Sequence, residues 1–395
     1  MEDLVDVDFA LHWRDDQITH CDRRIVAGVS PTSDHLGSTV LTPLLTAAPG
    51  ATIMLAQGEL LGTHHPAQHV HIATTDWPTQ ISGNTIAARR GRWFPQQVLA
   101  GKAGIAGQGP LRITAVGHGD IEIDLAPPLT GVHLTVEAMI RTRTRGDAGP
   151  PRDLQALLTT NGPGMQAALP GGCDFLTGDA LTRLDEASDS HFYSKPRLVN
   201  HLDTSALTVL AALHRRFLRP GQRILDLMAS GNSHFPEDAP DVEVTGLGMN
   251  TTELAANQRL RERVLHDLNV QPTLPFADRQ FDLVLCALSV EYLIRPIEVF
   301  REVSRVLKPG CIFLVTFSER WFQPKAIKLW GELHPFERIG LTLDFFQSSA
   351  AFENMHSESM RGLPRPINDK YIKMTGLSDP IYAVWGVRKA LHEMG

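Results

Sequence analysis

The chain has 395 residues, of which 43% are hydrophobic and 21% charged, so two domains with a core each are the natural expectation. Its net charge of -7, with 37 basic residues, does not favour a nucleic-acid-binding surface, which needs clustered Lys and Arg. The first residues lack a signal-peptide pattern, and no apolar run approaches the roughly 18 residues of a membrane helix. We therefore expect a cytoplasmic protein that binds neither nucleic acid nor membrane.

Residues 1–145 have the pattern of a β-rich domain. Short runs that often alternate apolar and polar residues, as half-exposed antiparallel strands do, are separated by Gly, Pro, Asp and His. These runs are Asp6–His12, Ala51–Ala56, Gln68–Ala73, Leu111–Val116, Ile121–Leu125 and Val132–Ile140. We place the first domain boundary at residue 145.

Four phrases at the end of this domain follow one another in a distinctive order: Ile113-Thr-Ala-Val116, Ile121-Glu-Ile-Asp124, Pro128-Leu-Thr-Gly131 and Leu134-Thr-Val-Glu137. This order resembles the SlyD-like FKBP-type prolyl isomerases, which carry an inserted β domain in the flap. The resemblance implies an apolar pocket that desolvates and twists a prolyl amide bond. However, Leu61 stands where the family has a Tyr donor, and Ala126-Pro127 replaces its Asn-His pair. We therefore expect a degenerate isomerase domain that serves for recognition.

Four histidines of this domain lie close together in the sequence: His64, His65, His69 and His71. Imidazoles are common ligands of zinc, nickel and copper, and His69 and His71 share one face of a strand. Relatives of the resembled isomerases bind nickel, so an adventitious divalent metal is one interpretation. The interpretation that we favour is a set of exposed histidines without a ligand, because no Cys, Asp or Glu adjoins them in the sequence.

Residues 146–190 are rich in Pro and Gly and predict a linker that crosses a surface. Only Leu154–Leu158 suggests a short helix, with Asp153 as its cap. A second domain, residues 191–395, follows. Its first predicted element is an amphipathic helix with apolar residues at helical spacing: Leu207, Leu210, Leu213 and Phe217.

Strand and helix patterns alternate in the second domain. Apolar runs that suit buried strands are Ile224–Met228, Val242–Asn250, Val264–Leu268, Phe281–Leu288 and Cys311–Phe317. Helices are predicted over Thr251–Val264 and Pro296–Leu307, and a helix pair with closing antiparallel strands forms the tail. This alternation predicts a Rossmann-like α/β fold with a doubly wound sheet, in which ligands bind beyond the carboxyl ends of the strands.

Several phrases of this half come in a specific order: Ile224-Leu-Asp-Leu-Met228, Gly246-Leu-Gly-Met-Asn250, Leu274-Pro-Phe-Ala-Asp278 and Phe300-Arg-Glu-Val-Ser-Arg-Val-Leu-Lys-Pro-Gly310. Together they resemble the class I S-adenosylmethionine-dependent methyltransferases of type 11, over roughly residues 193–389. The resemblance implies S-adenosylmethionine as cofactor and methyl transfer to a small-molecule or protein acceptor that the sequence does not identify.

The resemblance also implies cofactor contacts, and these fall on Tyr193, Arg197, Asp226, Met228, Ser230, Met249, Asn250, Asp267, Leu268 and Ser289. A carboxylate after the third strand suits the adenine amino group, and Asp267 supplies it. The ribose diol usually meets an acid at the end of the second strand, where Asn250 is only a weak acceptor. Glu291, as a base, and Tyr292 lie where acceptors approach and are the catalytic candidates.

The first turn departs from the family pattern acid-x-Gly-x-Gly-x-Gly, because Met228, Ser230 and Asn232 stand where glycines are expected. Glycine permits positive φ and close approach of the backbone to a ligand, so we expect an atypical pocket. Two hypotheses follow. The first is a methyltransferase whose β-rich domain recognises a partner. The second is a non-catalytic binding or chaperone-like scaffold, or an active prolyl isomerase with an inactive methyltransferase half.

Overall fold

A computed structural model describes residues 1–15, 17–30, 32–36, 38–55, 69–81, 84–102, 104–105 and 107–390. Contacts within the chain define two compact units. The first comprises Met1–Asp15, Arg24–Ala180 and Leu333–Leu341, and the second Asp16–Arg23, Leu181–Glu332 and Thr342–Gly395. These units follow contacts rather than chain order, so the boundaries at residues 145 and 190 stay predictions.

The strands, in chain order, are β1 (Glu2–Arg14), β2 (Ile18–Val29), β3 (Thr52–Leu55), β4 (His69–Ala73), β5 (Gln80–Ile81), β6 (Asn84–Thr85), β7 (Trp93–Pro95), β8 (Pro110–Val116), β9 (Asp120–Asp124), β10 (Leu134–Gly146), β11 (Arg223–Leu227), β12 (Glu243–Gly248), β13 (Leu260–Leu265), β14 (Phe281–Ala287), β15 (Leu307–Phe317), β16 (Phe352–Arg361) and β17 (Ile381–Arg388).

The α-helices are α1 (Ser38–Thr46), α2 (Leu154–Thr159), α3 (Asp189–Phe192), α4 (Thr204–Arg215), α5 (Thr251–Ala256), α6 (Pro296–Val306), α7 (Lys328–Glu332) and α8 (Pro335–Ser349). Single turns of 3-10 helix lie at Thr74–Asp76, Gln96–Leu99 and Val290–Tyr292. As predicted, Asp153 caps α2, because its side chain accepts from the Ala156 amide at 2.9 Å. Within the described ranges, none of the helices combines the length and the hydropathy that crossing a bilayer requires.

The first unit is built from antiparallel strands. β1 pairs with β10 and β10 with β3, while β4, β9, β8 and β7 form a separate four-stranded sheet in that order. Alternate residues of β1 enter the core, among them Val5, Val7, Phe9 and Leu11, as the period of two in a strand requires. The strands that the sequence predicts in residues 1–145 are therefore present in the described part.

The second unit contains the doubly wound sheet that the sequence predicts. Its strand order is β13-β12-β11-β14-β15-β17-β16, with the first five strands parallel and β17 antiparallel to both neighbours. The chain winds outward from β11 to β12 and β13, and then returns to β14 on the other side of β11. The carboxyl ends of β11 and β14 therefore flank the switch point, where such sheets bind ligands.

One predicted helix and one predicted strand differ from the structure. The helix expected over Thr251–Val264 ends at Ala256, because Asn257 is extended and its side chain donates to the Ser230 carbonyl and the Ser233 hydroxyl. The strand expected at Val264–Leu268 is β13 at Leu260–Leu265 instead. β13 is the edge strand of the sheet and carries mostly exposed residues, so it lacks the apolar run that identified the central strands.

Candidate functional site

A cavity of about 400 Å³ lies at the carboxyl ends of the second unit's parallel strands. Of the site residues that we predict in this unit, the lining includes Tyr193, Arg197, Asp226, Met228, Ser230, Met249, Asn250, Asp267, Leu268, Ser289 and Tyr292. Glu291 is the exception. Its side chain is buried, and it is not part of this lining. Sequence positions far apart are thus brought to one edge of the sheet.

The first turn remains open although it lacks the expected glycines. Met228 has a φ of 60°, the left-handed conformation that a glycine would adopt freely, and it lines the cavity rather than filling it. His234, at the far end of the turn, also has a positive φ, 55°, and lines the same cavity. Two non-glycine residues thus carry the strained backbone of this turn.

Asp226 is the last acid before this turn and is buried. Burial raises the pKa of its carboxyl from 3.8 to about 7, and a hydrogen bond with Ser233 offsets only part of the effect. Its Oδ2 has no hydrogen-bond partner among the described residues. The site therefore holds a carboxyl group that is protonated below about pH 7 and that has an unsatisfied oxygen.

Asn250 begins helix α5 at the end of β12 and uses its whole amide group. Its Oδ1 accepts from the Glu253 amide at 3.0 Å, which caps the helix. Its Nδ2 donates to the carbonyls of Tyr193 at 2.8 Å and Ser194 at 3.1 Å. Asn250 therefore fixes the segment that precedes α4 against the sheet.

Asp267 follows β13 and shapes the third side of the cavity. Its Oδ1 accepts from the amides of Asn269 at 2.9 Å and Val270 at 3.3 Å, which forms a tight turn. Leu268, next to it, is buried. One carboxylate oxygen of Asp267 thus holds the loop, and the cavity gains both a carboxylate and an apolar side chain there.

The segment before α4 contributes Tyr193 and Arg197 to the cavity lining, and aromatic rings surround the arginine. The Arg197 guanidinium lies 4.4 Å from the Phe192 ring centroid and 5.1 Å from that of Phe322, and it donates to the Phe192 carbonyl at 3.2 Å. Burial, followed by the nearby Asp189 carboxylate, raises the pKa of the Tyr193 hydroxyl above its ordinary value. Tyr193 is therefore a neutral hydroxyl at physiological pH.

A buried charge cluster anchors the same segment. The Lys325 ammonium is fully buried and lies 3.1 Å from Asp185 Oδ2 and 3.2 Å from Asp189 Oδ1. Arg183 contacts both oxygens of Asp189 at 2.7 Å, and Asn269 donates to Asp189 Oδ2 at 2.8 Å. Although burial alone would raise the pKa of the Asp189 carboxyl, these hydrogen bonds lower it, so this carboxyl stays ionised.

Comparison with known proteins identifies part of this unit. Residues 228–315 match the family model described as "Methyltransferase domain". They form a methyltransferase domain. The match begins in the first turn and ends in β15, so it contains the carboxyl ends of β12, β13 and β14 that line the cavity.

Curated relatives of the methyltransferase domain include quinone-modifying enzymes. A demethylmenaquinone methyltransferase of Renibacterium salmoninarum is 33% identical over 107 residues, which are 27% of this chain and 45% of that protein. A ubiquinone/menaquinone biosynthesis C-methyltransferase of Laribacter hongkongensis is 26% identical, over 36% of this chain and 63% of that protein. A malonyl-[acyl-carrier protein] O-methyltransferase of a Marinomonas species is 24% identical, over 30% and 43%. The chain thus spans about half the length of these relatives.

The cavity lining contains buried polar atoms that are available to a ligand. Three cavity-lining residues have a buried polar atom without a hydrogen-bond partner among the described residues: the Tyr193 hydroxyl, Asp226 Oδ2 and His234 Nδ1. A buried unpaired polar group costs about 1–3 kcal/mol, so ligand groups are the natural complement. S-adenosylmethionine presents an ammonium, a carboxylate, a diol and an adenine. The carboxyl groups of Asp226, Glu253 and Asp267, set among apolar side chains, fit it.

The residues after β14 differ in their access to the cavity. The Ser289 hydroxyl donates to the Ala287 carbonyl at 3.0 Å, and the Tyr292 hydroxyl accepts from the Phe322 amide at 2.8 Å. Burial, followed by the neighbouring Glu291 carboxylate, raises the pKa of Tyr292 well above its ordinary value. The structure therefore places Tyr292 at the cavity wall as a neutral hydroxyl, with Glu291 behind it.

Glu253 and His234 were not among the predicted site residues, although both line the cavity. The spacing Asn250-Thr-Thr-Glu253 favours a capping box, in which Glu253 would return to its own helix. The Glu253 carboxylate instead accepts from the Arg197 amide and the Ser230 hydroxyl. Partners so distant along the chain leave no local sequence signal.

The histidines proposed as metal ligands lie in the first unit. His69 Nδ1 is 2.9 Å from Glu122 Oε1, and His71 Nδ1 is 3.3 Å from Asp120 Oδ2. His64 and His65 fall outside the described residues. Within the described ranges, no group of three or more His, Cys, Asp and Glu side chains is arranged to hold a metal ion, so the metal hypothesis gains no support.

Proposed function

We propose that the protein transfers a methyl group from S-adenosylmethionine to a small apolar acceptor with a ring, such as a demethylated quinol. The observation that supports this most is the cavity at the switch point, because the region matching the methyltransferase family model supplies three of its walls. The acceptor class is proposed from the quinone-modifying relatives and from the aromatic lining, which includes Tyr193, Tyr292 and Phe322.

The sulfonium of the cofactor supplies an activated methyl group, so the protein's task is alignment and exclusion of water. Asp226 meets the amino-acid end, Asp267 offers its second oxygen to the adenine amino group, and Met228 and Leu268 pack against the apolar faces. Arg197 and the Phe322 ring beside it form part of the cavity lining. The Tyr193 hydroxyl is neutral and is available to donate a hydrogen bond to a polar group of the bound ligand.

A phenolic or quinol acceptor must also lose a proton. Two imidazoles of the lining are neutral at pH 7, because burial lowers the pKa of His234 to about 4 and lowers that of His201 below its ordinary value. His201 stands edge-on to the Phe322 ring, with centroids 5.2 Å apart. We assign proton acceptance to His201 ahead of Glu291, because Glu291 does not line the cavity.

Calorimetry with S-adenosylmethionine and S-adenosylhomocysteine tests the cofactor, with ATP as a control nucleotide. Saturable binding of both sulfur compounds and none of ATP is expected. Labelled methyl transfer to a short-chain demethylated naphthoquinol then tests the acceptor. If neither sulfur compound binds, the methyltransferase hypothesis is wrong and the binding-scaffold hypothesis remains. Binding without transfer to the naphthoquinol overturns only the acceptor class.

For the first unit we propose a recognition scaffold related to the SlyD-like prolyl isomerases but without their activity. In support, the phrases that carry the resemblance fall on β8 and β9, which pair with Ile113 opposite Ile123. Leu61, at the donor position, lies outside the described residues. A protease-coupled assay on a prolyl tetrapeptide should show no acceleration by the full chain. Clear catalysis would favour the active isomerase instead.

A further inference from the structure

The end of β12 cannot carry a side chain in this fold. A Cβ at Gly248 would overlap the carbonyl oxygen of Ala229 and lie 3.1 Å from Leu254. The Ala229 amide also donates to the Leu247 carbonyl at 2.7 Å, so the first turn packs directly on this strand end. A carboxylate for this side of the cavity must therefore come from another element.

Asn250, two residues later, is not free to accept hydrogen bonds from a ligand. Its amide oxygen caps α5 through the Glu253 amide, and its amide nitrogen donates to two carbonyls of the segment before α4. A hydroxyl group that bound Asn250 would have to compete with these hydrogen bonds. The acid of the lining that follows most closely in the sequence is Glu253, in the first turn of α5.

Glu253 is a buried carboxylate without a cationic partner among the described residues. Its side chain lines the cavity, and the residue is only 9% exposed. Oε1 accepts from the Arg197 amide at 2.6 Å, and Oε2 accepts from the Ser230 hydroxyl at 2.8 Å. Because an ionised carboxylate has about four acceptor sites, one on each oxygen remains for a ligand.

Two adjacent acceptor sites on one carboxylate match the two donors of a vicinal diol. We propose that Glu253 binds the ribose diol of the nucleoside that occupies this cavity. A residue of helix α5 then provides the carboxylate for which the end of β12 has no space. This inference rests on the proposed cofactor and adds the residue that discriminates ribose from deoxyribose. Ser230 and the Arg197 amide hold the carboxylate in place for this role.

The test measures the affinity ratio between S-adenosylhomocysteine and its 2′-deoxy analogue by calorimetry. Hydrogen bonds to a charged group are worth roughly 10- to 100-fold in affinity, so the wild-type protein should prefer the ribose form by about that factor. In Glu253→Gln the preference should fall to about threefold or less. Glu262→Gln is the matched control, since Glu262 lies on β13 outside the cavity lining and should keep the full ratio.

The affinity ratio distinguishes direct binding of the diol by Glu253 from a purely structural role of Glu253. Loss of the Ser230 and Arg197 contacts alone would weaken both ligands equally and leave the ratio unchanged, which would overturn the inference. A wild-type protein that binds both ligands equally would also overturn it. A wild-type protein that binds neither ligand would instead refute the proposed cofactor, so the two failures are distinguishable.

Discussion

Replacing Asp226 by Asn should make the stability of the second unit less sensitive to pH. The folded-state pKa of Asp226 is raised from 3.8 to about 7 by burial. Below pH 4 the carboxyl is protonated in both states, and its full contribution to stability is present. As pH rises toward 7 the unfolded state ionises while the folded state does not, so that contribution is lost at about 1.4 kcal/mol per pH unit.

Between pH 5 and pH 8 the free energy of unfolding of the wild-type protein should therefore fall by about 3 kcal/mol relative to Asp226→Asn. Above about pH 7 the difference should be constant. Hydrogen exchange of peptides from β11 during urea titration measures this quantity, because it reports the opening of the second unit by itself.

The matched control is Asp282→Asn, on β14 of the same sheet. Burial alone would raise the pKa of Asp282, but hydrogen bonds from Lys308 at 2.6 Å and from the Arg223 amide at 2.9 Å lower it. The contribution of the Asp282 carboxylate to stability is present above pH 4 and is lost only in acid. The free energy of unfolding of Asp282→Asn should therefore differ from that of wild type by a constant amount between pH 5 and pH 8. If the difference in free energy of unfolding between wild type and Asp226→Asn also stays constant between pH 5 and pH 8, the reasoning about the burial of Asp226 is refuted.

Two further substitutions examine the frame of the cavity. Gly248→Ala places a Cβ against the Ala229 carbonyl and should cost about 1–3 kcal/mol in urea unfolding, together with weaker binding of S-adenosylhomocysteine. Gly331→Ala, whose Cβ would meet nothing within 4 Å, is the control, and an equal loss there would contradict the steric argument. Lys325→Met removes one of the cations that contact buried Asp189, while Arg183 remains, and should lower the free energy of unfolding by about 1–3 kcal/mol. An unchanged melting curve would show that the Lys325 contact is not stabilising.

The central strands and the location of the site could be predicted from the sequence because they depend on local pattern. Strands such as β11 and β14 are buried on both faces and therefore read as continuous apolar runs. β13 could not be placed correctly, since an exposed edge strand needs no such run. Glu253 was missed because its partners, Arg197 and Ser230, lie 56 and 23 residues away in the chain.

The shape of the atypical first turn depends on the backbone conformation of Met228 rather than on its residue type alone. A methionine with ordinary backbone angles would have pointed elsewhere, whereas a φ of 60° keeps the turn in the shape that a glycine would give. Residue identity alone does not determine φ at a single position. The sequence therefore predicted an atypical pocket, and the structure adds the backbone conformation that keeps the turn open.

The contact between Ala229 and Gly248 links the sequence of the first turn to that of the end of β12. Two backbone segments that touch need a residue without a side chain on at least one of them. In the resembled family the glycines lie in the turn and an acid ends the neighbouring strand, whereas in this chain the turn has side chains at those positions and the strand ends at Gly248. An acid at position 248 would collide with the Ala229 carbonyl of this turn, so the turn conformation and the glycine at the strand end depend on each other.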